Sequence, residues 1–152
     1  MIRPRGGGFC YSLSDLKEIQ NQINVFKSIG IEHIVCGILK KNNRVNINSF
    51  KKISDISYPM KITFHKAIDK SIDFFNDIEA LVRTNRLDGL LTSGQANSAL
   101  EGSETIKKVV NIFGGNIKVI AAGKITSTNL INIHEKIGGK YYHGRKILGN
   151  LN

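Results

Sequence analysis

Cysteine, proline and aromatic residues are scarce in this 152-residue chain: two, two and 7%. Two cysteines, Cys10 and Cys36, are too few for a disulfide scaffold, and they lack CxxC spacing. Two prolines exclude a proline-rich low-complexity chain. No apolar run approaches the roughly 18 residues of a membrane span. No apolar h-region follows the basic start Met1-Ile2-Arg3-Pro4-Arg5. The expectation is a cytoplasmic protein with no membrane partner. Several chemistry-bearing motifs are also missing. There is no Walker A, no HExxH and no EF-hand loop. Ser93-Gly94 lacks the G-x-S-x-G of a nucleophile elbow. Gly6-Gly7-Gly8 lacks the spacing of a dinucleotide-binding turn.

What is present is ordinary for a folded chain. Hydrophobic residues make up 41% and charged residues 22%, and the length suits one domain, residues 1–152. Net charge is +10. The basic residues are scattered, with Lys40-Lys41, Lys51-Lys52 and Lys107-Lys108 as the longest runs. No arginine-rich helix, RNP-like aromatic motif or zinc-finger spacing accompanies them. The charge therefore speaks to solubility and not to a nucleic-acid partner.

The hydrophobic period alternates between strand-like and helix-like. Short β-branched runs predict strands at Ile31–Leu39, Met60–His65, Leu87–Thr92, Ile117–Ala122 and Lys140–His143, with a shorter one at Met1–Arg5. Between them lie amphipathic stripes. Leu16, Ile19, Ile23 and Phe26 share one helix face, entered at Ser12 or Ser14 and left at Gly30. Ile72, Phe75, Ile78, Leu81 and Val82 form a second stripe. Leu100, Ile106, Val109, Val110 and Phe113 form a third, and Leu130, Ile133 and Ile137 a fourth. A weaker one holds Ile47, Phe50 and Ile53. Strand positions recur about every 23–31 residues, the length of a βα unit, so the fold is α/β with about six parallel strands. An open doubly wound sheet and part of a (β/α) barrel of about 250 residues both fit this order.

In such folds the site lies at the strand C-terminal ends. Arg3 and Arg5 close the first strand and point to one side if it is extended. They suit a carboxylate or phosphate, or else a salt bridge to Glu101 or Asp69. Thr63 and His65 share a side at the end of the Met60 strand. His65 is a general acid/base, a metal ligand or a hydrogen-bonded structural histidine. His143, closing the last strand, has the same readings, whereas His33 and His134 lie away from the strand ends. Asp69 either works with His65 or caps a helix before Ser71. Thr92, Ser93 and Gly94 end a third strand. For a soft ion such as monovalent copper, the thiol, thioether and imidazole supply is thin: Cys10 in the glycine loop, Cys36 within a strand, Met60 at a strand start, and the histidines.

Three segments carry a resemblance. Met1-Ile2-Arg3-Pro4-Arg5-Gly6-Gly7, with Phe9 and Tyr11-Ser12, resembles the MIRPRGG.F.YS motif of the CutC copper-homeostasis family. Thr63-Phe64-His65-Lys66-Ala67-Ile68-Asp69 is similar to that family's TFHRAFD. Leu91-Thr92-Ser93-Gly94 and Ser98-Ala99-Leu100-Glu101-Gly102 are similar to LTSG and SALEG. The resemblance implies a TIM-type (β/α) barrel with helices outside, incomplete here, and a role in copper handling. It also implies a ligand site at the barrel mouth with Arg3, Arg5, His65, Asp69, Thr92, Ser93 and Glu101 at motif positions. Copper is the implied metal, with His65, His143 and Cys10 as its candidate ligands. His65 and Asp69 are the candidate catalytic pair if the scaffold instead turns over a small anionic metabolite. An inactive, truncated family member is a third possibility.

Two motif positions depart from the family. Gly8 stands where the family has Asp, and Ala121-Ala122-Gly123-Lys124 replaces its PGGG turn. The family also has two further βα units ahead of the segment that matches Met1. Without them, open strand edges at Met1–Arg5 and Lys140–His143 are expected to expose core side chains such as Ile2. The expected consequence is a homo-oligomer or a poorly soluble chain.

Overall fold

The computed structural model describes residues 1–149. They fall into two compact units, Met1–Asp88 and Gly89 onward.

In the first unit, helix α1 (Leu13–Ser28) begins at Ser12 with a capping box. The Asp15 amide donates to Ser12 Oγ, and the Ser12 amide donates to the Asp15 carboxylate. Its stripe buries Ile19 and Ile23, and Gly30 follows the helix with positive φ, as a C′ residue does. Strand β1 (His33–Cys36) pairs in parallel with β2 (Lys61–Phe64), in the register Cys36 opposite Phe64. Helix α2 (Ile47–Ser57) connects them, capped by Asn46 and burying Phe50 and Ile53. After β2 a 3-10 turn, Lys66–Lys70, leads into α3 (Phe74–Val82).

In the second unit, β3 (Gly89–Thr92), β4 (Lys118–Ala122) and β5 (Tyr141–His143) pair in parallel in chain order. Helices α4 (Ser103–Phe113) and α5 (Leu130–Ile137) are the crossovers. Their buried apolar residues, Ile106, Val109, Phe113, Ile133 and Ile137, belong to the predicted stripes, whereas Leu100 precedes α4 and is 40% exposed.

The expected α/β fold with parallel strands is present, with three local differences. Met1–Arg5 is not a regular strand. The Ile2 amide donates to Val35 O on β1, but Pro4 has no N–H to continue a ladder. Ile2 itself is buried, at 1% exposure, and not laid open as the edge argument expected. In α3 the stripe begins one residue off: Phe74 is buried, while Ile72 lies outside the helix at 70% exposure.

A polar clamp accounts for the unexpected buried residue on α3, Asp77. Its carboxylate accepts from the Arg44 guanidinium at 2.9 Å, the Val45 amide at 2.9 Å and the Ser71 hydroxyl. Arg44 also pairs with Asp73 at 3.0 Å. One carboxylate thus holds the segment before α2 against the start of α3, with its buried charge matched by several donors.

The LTSG and SALEG segments have a steric explanation in the second unit. A Cβ on Gly102 would lie 2.0 Å from Ser93 O, and one on Gly94 would lie 2.4 Å from Gly102 O. The two backbones touch, so neither position has room for a side chain. Gly102→Ala is therefore expected to lower unfolding stability by about 1–3 kcal/mol or more, measured by urea denaturation.

Candidate functional site

Each strand end places a different set of polar groups. In the first unit, the parallel register lets the His65 amide donate to Cys36 O at 2.8 Å, just past β2. The His65 ring then lies against Gly37, where a Cβ would come within 2.5 Å of the ring atoms Cε1 and Nδ1. Only a glycine leaves space for the imidazole there. The ring also contacts Phe9, with centroids 5.0 Å apart, and Phe64 at 6.1 Å. His65 is 4% exposed.

The protonation state of His65 follows from its partners. The Ala67 amide donates to Nδ1 at 3.1 Å, so Nδ1 is an acceptor and the neutral ring carries its proton on Nε2. Burial pulls the pKa from 6.5 down to about 4, with the Arg3 charge acting in the same direction. At neutral pH the group is an uncharged N–H donor. Nε2 is buried and has no hydrogen-bond partner. Tyr11 Oη is the other such side-chain atom among the described residues. Burial raises the Tyr11 pKa above its ordinary value, although Arg3 and Arg5 oppose this. Tyr11 is thus a second neutral donor in the field of Arg3. An unsatisfied buried donor costs about 1–3 kcal/mol, so two beside one arginine mark a place for an acceptor.

The two arginines of the first motif have different roles. Arg5 is consumed by structure: Nε pairs with Asp15 at 3.0 Å, and the guanidinium donates to the carbonyls of Gly6, Gly8 and Cys10. The acid that holds it is Asp15, and not Glu101 or Asp69. Arg3 donates to Gly7 O at 2.7 Å and stacks over Phe9, 5.0 Å from the ring centroid. Its other N–H groups have no acceptor among the described residues. Phe9 therefore contacts both Arg3 and His65.

Asp69 lies in the 3-10 turn, 3.7 Å from the Lys66 ammonium. It does not hydrogen-bond the His65 ring: Ala67 occupies Nδ1, and Nε2 is unpartnered. Its expected role as the partner that orients His65 is taken by the Ala67 amide. In the second unit, Thr92 Oγ1 accepts from the Gly94 amide at 2.9 Å, and Ser93 Oγ donates to Ala96 O at 2.7 Å. Both side chains build the turn after β3. Glu101 and His143 are exposed. His33 Nε2 bonds Thr63 Oγ1 across β1 and β2 at 2.9 Å, and His134 Nδ1 bonds Tyr142 Oη at 2.8 Å.

For copper, the donor set of the first unit is limited. Burial pushes the Cys36 thiol up to about 12, which keeps it protonated. Cys10 is exposed and lines an open cavity of about 390 Å³ with Arg5, Lys40, Lys41 and Lys70. The three lysines there oppose a metal cation and favour an anion, while Arg5 is already paired with Asp15. His65 would bind a metal through Nε2 only after moving its proton to Nδ1, against the Ala67 N–H. No group of three or more His, Cys, Asp or Glu side chains among the described residues is arranged to hold a metal ion.

Sequence reasoning named Arg3 and His65 as candidates and did not name Tyr11 or Gly37, which the structure places beside them. Tyr11 was visible only as a motif letter, and Gly37 only as a glycine closing an apolar run.

Comparisons with known proteins agree with the motifs. The CutC family model matches residues 1–148. The human copper homeostasis protein cutC homolog is 35% identical over 94% of this chain and 52% of its own length. A CutC family protein of Glaesserella parasuis is 34% identical over 90% of this chain and 56% of its own. The chain thus spans about half the length of these relatives. A crystal structure of a CutC protein from Streptococcus agalactiae superposes with a TM-score of 0.90 at 27% identity, covering 96% of this chain and 71% of that one. No described helix is long and apolar enough to cross a membrane.

The His65 environment sets a pH window. Below 6.5 the unfolded chain takes up a proton that the folded state refuses until about 4. The His65 contribution to stability is therefore flat above 6.5 and falls as pH drops toward 4, by on the order of 3 kcal/mol. Denaturation midpoints measured across this range should show the slope, and His65→Gln should remove that component.

Proposed function

Because the chain belongs to the CutC family, which covers residues 1–148, we propose that it serves copper homeostasis and that its site, formed by Arg3, Tyr11 and His65, binds a small anionic ligand. The observation that carries this reading is the pair of buried donors, His65 Nε2–H and Tyr11 Oη–H, left without acceptors in the field of Arg3. An anion supplies both the charge that Arg3 lacks and the lone pairs that the donors lack. Arg5 supports the site from behind by fixing the Gly6–Cys10 loop to Asp15. Turnover of the ligand is the catalytic form of this reading, with His65 touching it. The proposed setting is the cytosol, with self-association of the chain.

A second reading has copper itself bound, and the exposed Cys10 thiol favours it as a soft ligand. Two titrations separate the readings. Inorganic phosphate and acetate, followed by NMR, are expected to bind at the site, and Arg3→Gln to weaken that binding at least tenfold. Monovalent copper, competed against a chromophoric chelator, is expected to bind no more tightly to the wild type than to Cys10→Ser. Tight copper binding abolished by Cys10→Ser, with no anion binding, would replace the first reading with the second.

A further inference from the structure

The donors at this site are unequal in charge, and that inequality narrows the ligand. Arg5 is neutralised by Asp15, so Arg3 is the one cation of the motif with N–H groups to spare. His65 and Tyr11 add two donors that are both uncharged. An anionic group has lone pairs enough to reach the neutral donors as well as Arg3, but only the cation requires the charge. A ligand that sets its anionic end on Arg3 and an uncharged oxygen on the neutral donors matches each donor to its kind.

His65 is also fixed in what it offers. The Ala67 N–H occupies Nδ1, at the start of the 3-10 turn that His65 caps. The Gly37 backbone lies against Nδ1 and Cε1. The ring therefore presents Nε2–H, a donor, and never a lone pair. A neutral imidazole held as a donor by a backbone amide is suited to a carbonyl oxygen, whose partial charge it increases. A metal cation or an ammonium would meet the N–H head-on.

Resting on the anion-site reading above, we propose that the ligand carries a carbonyl oxygen beside its anionic group, and that His65 recognises that oxygen as a neutral donor through Nε2–H. Arg3 takes the anionic end, and Tyr11 supplies the second neutral donor. Phe9, half-buried and in contact with both Arg3 and His65, is the apolar wall between the two ends. Both 2-oxo carboxylates and phosphorylated ketones have this chemistry.

The test uses two matched pairs of probes with the full chain: pyruvate against propionate, and dihydroxyacetone phosphate against propyl phosphate. Within one pair the carbonyl member is expected to bind about tenfold tighter, and the pair that shows the difference identifies the anionic group. His65→Ala should erase the difference within the pair. His65→Gln, which keeps an N–H donor, should restore it. Arg3→Gln should weaken both members alike. Independently, ¹⁵N NMR of His65 should show the neutral Nε2–H tautomer, with the Nε2 signal moving for the carbonyl probe alone. This measurement decides the matter even if His65→Ala does not fold. Equal affinities within both pairs, still dependent on Arg3, would overturn this inference and leave the anion site standing. An Nδ1–H tautomer would also overturn it. Failure of all four probes to bind would overturn the anion-site reading itself, and this inference with it.

Discussion

The register between β1 and β2 is the constraint on which the site depends. Because Cys36 stands opposite Phe64, the His65 amide bonds Cys36 O and the His65 side chain meets Gly37. A shift of one residue would turn every side chain of β2 to the other face. It would take His65 away from the space beside Gly37. The register is held by apolar residues on both strands, Ile34, Cys36, Ile62 and Phe64, all buried. Packing energy therefore holds a polar ring where water does not reach. The Ala67 amide then determines its tautomer. Strand pairing, steric space and one backbone hydrogen bond together turn an ordinary histidine into an uncharged donor.

The two arginines show how a short motif divides its work. Arg3 and Arg5 are two residues apart, and in a regular strand they would act side by side. Here the segment is irregular after Ile2, so they separate. Arg5 folds back over Tyr11 and ties the loop carbonyls to the capping box of α1 through Asp15. Arg3 leans on Phe9 toward His65. One guanidinium spends its donors on the fold, which leaves the other available for a ligand. The same economy appears at Asp77, where a single carboxylate satisfies Arg44, Val45 and Ser71 at once. It appears again in the second unit, where Thr92 and Ser93, polar residues at a strand end, spend hydrogen bonds on their own turn.

Much of the fold was legible because periodicity reports burial directly. The stripes of α1, α4 and α5 and the cores of five strands lie where the 3.6- and 2-residue periods place them. Strand lengths were overestimated. Ile31–Leu39 reads as one run, but regular pairing stops at Cys36, and beyond it the chain turns so that the Leu39 amide reaches Phe9 O. Ile38 and Leu39 remain buried without being in the strand, so an apolar run measures burial and not pairing. The register of α3 was misplaced for a related reason. Phe74 and Phe75 are adjacent and equally apolar, and in the helix Phe74 shares the buried face with Asp77, Ile78 and Leu81.

By itself the sequence determined the element types, their alternating order, the family and the presence of a polar set at the strand ends, because local periodicity and motif spacing are properties of the chain read in order. Tertiary structure alone decided which polar groups meet. That Asp15 and not a more distant acid takes Arg5, that Gly37 makes room for His65, and that Tyr11 Oη is left without a partner all depend on contacts between residues far apart along the chain. Such contacts are fixed by packing and register, which no single segment encodes.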